Sequence, residues 1–217
     1  MTEKEFNPGY LFPVKDPKKV TKELRALTKI ENFGRWGIRD TSLETYALPL
    51  PVNFEVFLRE EAKKAGESGR LLKVLDVGIG TGKQWVDFLN ENLLEWWGTS
   101  LTGKVHAALK GRVINTTAAL LHKKFQPDSL DVVVSHFGAH GQNEELIENA
   151  LHVLRPGGQL ILVSDGERPK VEPHSKHYQV IGSTVKNIKE WGIHLRKPEL
   201  QKTVLERIKS FFSGLDG

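Results

Sequence analysis

The residues best placed to do chemistry lie in one short run, Lys73-Val74-Leu75-Asp76-Val77-Gly78-Ile79-Gly80-Thr81-Gly82-Lys83-Gln84-Trp85. An acid closes an apolar segment, three glycines follow at every second position, and an amphipathic segment begins at Lys83. Glycines between a strand and a helix present backbone N–H groups, unobstructed by Cβ atoms, at a helix N-terminus. Such a place suits a nucleotide-like ligand whose ribose, phosphate or carboxylate lies against bare backbone. The spacing is not the dinucleotide GxGxxG, since the third glycine stands at 82 rather than 83. It is not a P-loop either, since the four-residue spacer is missing. A glycine turn that only packs a helix against a strand has the same local sequence, so the run alone leaves both readings open. The chain has no cysteine, which excludes disulfides, thiolate metal ligands and a cysteine nucleophile together. No HxH or HExxH spacing gathers His174, His177 and His194, so no metal site is expected.

The elements that must hold this run follow from apolar periodicity. Leu71 to Val77 reads as a strand, "KQWVDFLNENLLEW" as an amphipathic segment and "WGTSL" as a short strand. "KVHAALK" reads as a helix, "GRVINTT" as a strand, "LDVVVSHF" and "QLILVSD" as buried strands, and "EELIENALHVL" as a helix stopped at Pro156-Gly157-Gly158. "STVKNIKEW" is expected to be helical, "GIHLR" a short strand and "PELQKTVLERIKSFF" a closing helix. This alternation predicts an α/β fold, a doubly wound, mostly parallel Rossmann-like sheet with helices on both faces. Residues 1–52, with a helical pattern at "DPKKVTKELRALTKI", form an N-terminal extension, and "VNFEVFLREEAKKAG" opens the main domain, 53–217. Tyr10, Phe12, Phe33, Trp36 and Tyr46 either form a lid over a ligand or pack the extension onto the domain.

Composition bounds the rest. The chain has 217 residues, enough for one sizeable domain with a small appendage, and its 39% hydrophobic and 27% charged residues are those of a soluble globular protein. No apolar run approaches the roughly 18 residues that cross a membrane, and "MTEKEFNPGY" lacks the apolar core of a secretory signal. A cytoplasmic protein without a membrane partner is expected. The net charge of +4 allows RNA as a partner, but the charges are mixed along the chain and equally describe a solvated surface.

The run Asp76-Val77-Gly78-Ile79-Gly80-Thr81-Gly82 closely resembles motif I of the class I methyltransferases that use S-adenosylmethionine. "FQPDSLDVVVSHFGAH" resembles the strand-4 segment of that family, and "ALHVLRPGGQLILVSD" the helix, turn and strand that follow. The resemblance covers about residues 53–166 and, more loosely, the tail to about 197. It implies S-adenosylmethionine as cofactor, lined by Asp76, Gly78, Gly80, Thr81, Gly82, Ser100, Thr117 and Ser135. Asp76 would meet the cofactor's amino group directly or through a water. Ser135, His136 and His140, which follow strand 4, become the candidates for substrate contact or proton removal, with loop and capping roles as the alternative for the two histidines.

Two positions depart from the family pattern. Acids that usually meet the ribose hydroxyls and the adenine amine are replaced by Ser100 and by Thr116 or Thr117. A hydroxyl cannot supply the bidentate, charge-assisted acceptor of a carboxylate, a loss of about 1.5–3 kcal/mol per contact. Two functions therefore stand side by side. One is a methyltransferase acting on an unidentified acceptor, a small molecule before RNA or protein. The other is a non-catalytic relative that binds or docks partners. The three glycines speak for the first, and the missing acids for the second.

Overall fold

The computed structural model describes residues 42–199, apart from 102, 104, 140, 166, 174 and 186–189. The apolar runs form seven strands: β1 (Leu72–Asp76), β2 (Leu94–Thr99), β3 (Val113–Ile114), β4 (Leu130–His136), β5 (Leu154–Asp165), β6 (Gln179–Val185) and β7 (Glu190–Arg196). They make one sheet in the order β3-β2-β1-β4-β5-β7-β6, parallel throughout the β3-β2-β1-β4-β5 half, with β7 antiparallel to both its neighbours. Among the described residues the α-helices are α1 (Phe54–Glu67), α2 (Lys83–Leu89) and α3 (Asn143–Val153).

Both faces of the sheet are covered, which is why β1, β4 and β5 read as continuous apolar runs rather than alternating ones. Val74, Val132, Val134 and Ile161 point to one side, where they meet Phe54, Leu58 and Ala62 of α1, Trp85 and Phe88 of α2, and Leu43, Tyr46 and Leu50 of the segment before α1. Leu75, Val77, Val133, Leu160 and Leu162 point to the other, against Leu146, Ile147 and Ala150 of α3. Leu43, Tyr46, Ala47 and Leu50 of the segment before α1 are thus built into the core.

Several expectations differ from the structure in element type or boundary. Where the structure describes the segment 183–191 it is strand rather than helix: Ser183, Thr184 and Val185 belong to β6, and Glu190 and Trp191 open β7. Its β-branched residues alternate between exposed and half-buried along β6, a period of two rather than 3.6. The amphipathic run from Lys83 is a helix only to Leu89; Asn92 takes a positive φ of 54°, and β2 starts at Leu94, not Trp97. The α3 helix ends at Val153, so Pro156-Gly157-Gly158 lies within β5, where Gly157 has a φ of 80°. "KVHAALK" and "GRVINTT" shrink to a 3-10 segment, Ala107–Arg112, and the two-residue β3. The helical patterns at 16–30 and beyond residue 199, with Tyr10, Phe12, Phe33, Trp36 and His174, lie outside the described residues.

Asp131, within the segment that resembles strand 4, sits at the opposite end of β4 from the glycine turn. It is buried, accepts from the Lys73 backbone N–H at 2.8 Å and Arg70 Nη1 at 2.6 Å, and pairs with Arg155. Asp131 is therefore a clamp between β1, β4 and β5. Replacing it by alanine strands the Lys73 N–H, and denaturant unfolding of Asp131→Ala should show a loss of about 2–3 kcal/mol.

Candidate functional site

Parallel pairing sets Asp76 level with Gly98 on β2 and Val134 on β4, so the carboxyl ends of the three central strands open together beside the glycine turn. Crevices of this kind are where open α/β sheets bind ligands. Asp76 is completely buried there. Its Oδ2 accepts from the Tyr46 hydroxyl at 2.8 Å and from Trp85 Nε1 at 2.6 Å, while Oδ1 is buried with no hydrogen-bond partner. Gln84 Nε2 donates to the Tyr46 oxygen at 3.3 Å, completing a chain from α2 to the leading segment and on to β1. Burial pushes the Asp76 carboxyl up to about 7, against the two donors that pull it down. Burial first, and then the charge of Asp76, raise the Tyr46 phenol well above its ordinary value.

The sign of the resulting pH dependence is fixed. An acid whose folded pKa is raised binds its proton more tightly when folded, so its contribution to stability falls as pH rises from about 4 to about 7. His194, buried and bonded to Gln159 at 2.8 Å, has its pKa lowered to about 4 by burial and acts in the opposite sense between about 4 and about 6.5. The two groups act in opposite directions, so the difference between variants is the useful quantity. The stability of Asp76→Asn relative to the parent should increase from pH 4 to pH 7 by up to about 4 kcal/mol, measured by denaturant titration across that range.

The three glycines divide by role. A Cβ at Gly78 would stand 2.8 Å from the Gly138 carbonyl oxygen, and one at Gly138 would stand 2.7 Å from the Gly78 Cα and overlap the Val77 carbonyl. At Gly82 a Cβ would meet Leu109 Cδ1 at 2.6 Å. These two close approaches are made by the protein itself. Gly80, with a φ of 59°, is exposed and is the glycine that faces outward. The Gly78 N–H donates to Thr99 Oγ1 at 2.9 Å, and the Ile79 N–H to the Thr99 carbonyl at 3.0 Å, which tie the turn to β2.

The other residues singled out in the sequence fall around this turn. Ser135 is fully buried and donates to the Val77 carbonyl at 3.0 Å, holding β4 to the turn. Thr81 is half-buried and its Oγ1 accepts from the Lys83 N–H at 3.4 Å. Ser100 is buried, its N–H donating to the Ile114 carbonyl at 3.2 Å. Thr117 is buried with its Oγ1 unpartnered, as is that of Thr116. His136 is half-buried, with its ring 4.8 Å from that of Tyr46, while His140 lies outside the described residues. Trp96 packs in the core on Trp85 with centroids 5.4 Å apart.

Sequence reasoning passed over Trp85, Thr99, Gln84 and Gly138 as parts of the site. Trp85 carried a signal, since the first turn of a helix after a glycine loop faces back toward the strand end. Gly138 carried none, because its partner is sixty residues away.

The sheet order, the reversed β7 and the glycine turn after β1 define a Rossmann-like α/β fold of the methyltransferase kind. Residues 75–162 match the family of the methyltransferase domain. No curated protein sequence matches the chain significantly. Among solved structures, the chain is similar to the Burkholderia thailandensis 1,6-didemethyltoxoflavin-N1-methyltransferase, solved with 1,6-didemethyltoxoflavin and S-adenosylhomocysteine, at 14% identity and a TM-score of 0.50 over 87% of this chain and 93% of that one. It is also similar to the [4+2]-cyclase SpnF, at 12% identity and a TM-score of 0.45 over 69% of this chain and 84% of that one. TrmN from Thermus thermophilus follows at 16% identity and a TM-score of 0.43, over 65% and 48% of the two chains. The match to the methyltransferase domain covers less than half of the chain, and S-adenosylmethionine is the cofactor that such a domain implies.

The residues present fit that cofactor at three points. The buried, unpartnered Asp76 Oδ1 is an acceptor for a cation, the unpartnered Thr117 Oγ1 is a neutral acceptor or donor on the β3 side, and Gly80 leaves backbone open to approach. Among the described residues, no helix is long and apolar enough to cross a membrane, and no group of three or more His, Asp or Glu could hold a metal ion.

Proposed function

We propose that the protein is an S-adenosylmethionine-dependent methyltransferase acting on a small-molecule acceptor in the cytoplasm. The observation that carries this reading is the buried Asp76 carboxylate oxygen without a partner, set at the end of β1 against the glycine turn. A buried acceptor left unsatisfied costs about 1–3 kcal/mol, and a ligand that satisfies it recovers that cost. S-adenosylmethionine supplies a methyl group activated by its sulfonium. Asp76 would hold its amino group, with Gly80 and Thr81 along its amino-acid end and Ser100 and Thr117 toward ribose and adenine. The remaining work of the chain is alignment and exclusion of water, which supply most of what such a displacement needs. His136, beside Tyr46, is the described residue closest to the role of proton acceptor, with His140 the second candidate.

The small-molecule preference draws on the strand-4 and Pro-Gly-Gly segments, and the structural neighbour solved with 1,6-didemethyltoxoflavin acts on a compound of that size. RNA or protein acceptors form the alternative substrate class, consistent with the net charge of +4. A non-catalytic binding role is the second reading. It is favoured by the packing of Gly78 and Gly82 against Gly138 and Leu109, which gives two of the glycines a purpose without any ligand. Calorimetric titration with S-adenosylhomocysteine decides between them. Micromolar binding, weakened at least tenfold by Gly80→Val, supports the enzyme; no heat at about 1 mM ligand contradicts it.

A further inference from the structure

Tyr46 and Trp85 approach Asp76 from different parts of the chain, the segment before α1 and the first turn of α2, yet both donate to the same oxygen, Oδ2. A carboxylate offers two oxygens and about four lone-pair sites, so two donors have room to be divided between them. Here Oδ1 stays dry and empty-handed. On the remaining sides stand Gly98 of β2 and Val134 of β4, neither of which carries a charge. Among the described residues, the titratable group bonded to Asp76 is Tyr46, and His136 lies against the Tyr46 ring.

We propose that Tyr46 and Trp85 are positioning residues that commit Oδ2 of Asp76 to the protein and reserve Oδ1 for the ammonium group of the cofactor, whose arrival displaces a proton from Oδ1. The inference rests on the cofactor reading above. Before binding, an oxygen without a donor in a dry setting is the one that carries the acid proton. When the ammonium enters, the O–H bond of Asp76 breaks, its proton leaves to solvent, and an N–H···O hydrogen bond to the carboxylate takes its place. Tyr46 also ties this step to the leading segment, because its ring packs against Phe54, Trp85 and His136.

The test is calorimetric titration of the full chain with S-adenosylhomocysteine between about pH 5.5 and about pH 8.5, in paired buffers of different ionisation enthalpy. Affinity should rise about tenfold per pH unit on the acid side and level off above neutrality, with close to one proton released per ligand on that side. Tyr46→Phe removes one donor that favours the ionised acid, so the levelling point should move up by about one pH unit. A residue that served only packing would change the melting temperature and leave that point in place. Binding that is independent of pH, without proton release, overturns the proposal while leaving the cofactor reading intact. A Tyr46→Phe profile with the parent's levelling point removes Tyr46 from it. Absence of binding at every pH instead overturns the cofactor reading.

Discussion

Gly138→Ala should be among the most damaging single substitutions in the chain, with a loss of more than about 3 kcal/mol of stability or outright failure to fold. The added Cβ overlaps the Val77 carbonyl and crowds the Gly78 Cα, both backbone atoms at the end of the central strand. Overpacking against side chains typically costs about 1–3 kcal/mol because the neighbours can shift. Backbone cannot shift here without breaking the Val77 N–H bond to the Val134 carbonyl and the Gly78 N–H bond to Thr99, both of which hold the turn. Gly111→Ala is the matched control, since nothing lies within 4 Å of its Cβ position. Urea unfolding of the two variants side by side should separate them clearly. If Gly138→Ala unfolds like the control, the back-to-back packing of the two turns is wrong.

The second large effect concerns Asp76, and two substitutions separate its structural and binding roles. Asp76→Asn keeps an acceptor for the Tyr46 hydroxyl and Trp85 Nε1 but cannot carry a negative charge. Its melting temperature should match or exceed that of the parent at neutral pH, because a desolvated acid has been removed, while affinity for S-adenosylhomocysteine falls by about one to two powers of ten. Asp76→Ala removes the acceptor as well. It leaves the Trp85 N–H buried and unpaired, so both affinity and stability should drop, the latter by about 1–3 kcal/mol. Equal affinity of Asp76→Asn and the parent would show that the carboxylate has no charged partner in the ligand.

The centre of the fold was legible in the sequence because its signals are local. Val132-Val133-Val134 and Leu160-Ile161-Leu162-Val163 can only be strands covered on both faces, and the acid-then-glycine run marks the turn at the end of β1. The edge of the sheet was less legible. Ser183-Thr184-Val185 sits between a glycine and a lysine-rich stretch whose spacing mimics a helix, and pairing with β7 overrode that pattern. The sequence splits Trp96 and Trp97 between the end of an amphipathic segment and the start of a strand, whereas β2 begins at Leu94 and contains both. At the site, residue types were legible and their purposes were not. Three glycines suggested one ligand pressed against all of them. The structure gives Gly78 and Gly82 to internal packing and leaves Gly80 facing outward, because contacts with Gly138 and Leu109 join segments far apart in sequence. Tyr46 showed itself only as one aromatic among several in the leading segment; its bond to Asp76 spans thirty residues.

The most direct measurement is a crystal structure of the protein with S-adenosylhomocysteine. The amino nitrogen of the ligand should lie within hydrogen-bond distance of Asp76 Oδ1, with Tyr46 and Trp85 still on Oδ2 and the amino-acid end running past Gly80. A ligand seated elsewhere, or one that leaves Asp76 Oδ1 unpartnered beside an occupied crevice, would contradict the assignment of that oxygen to the cofactor.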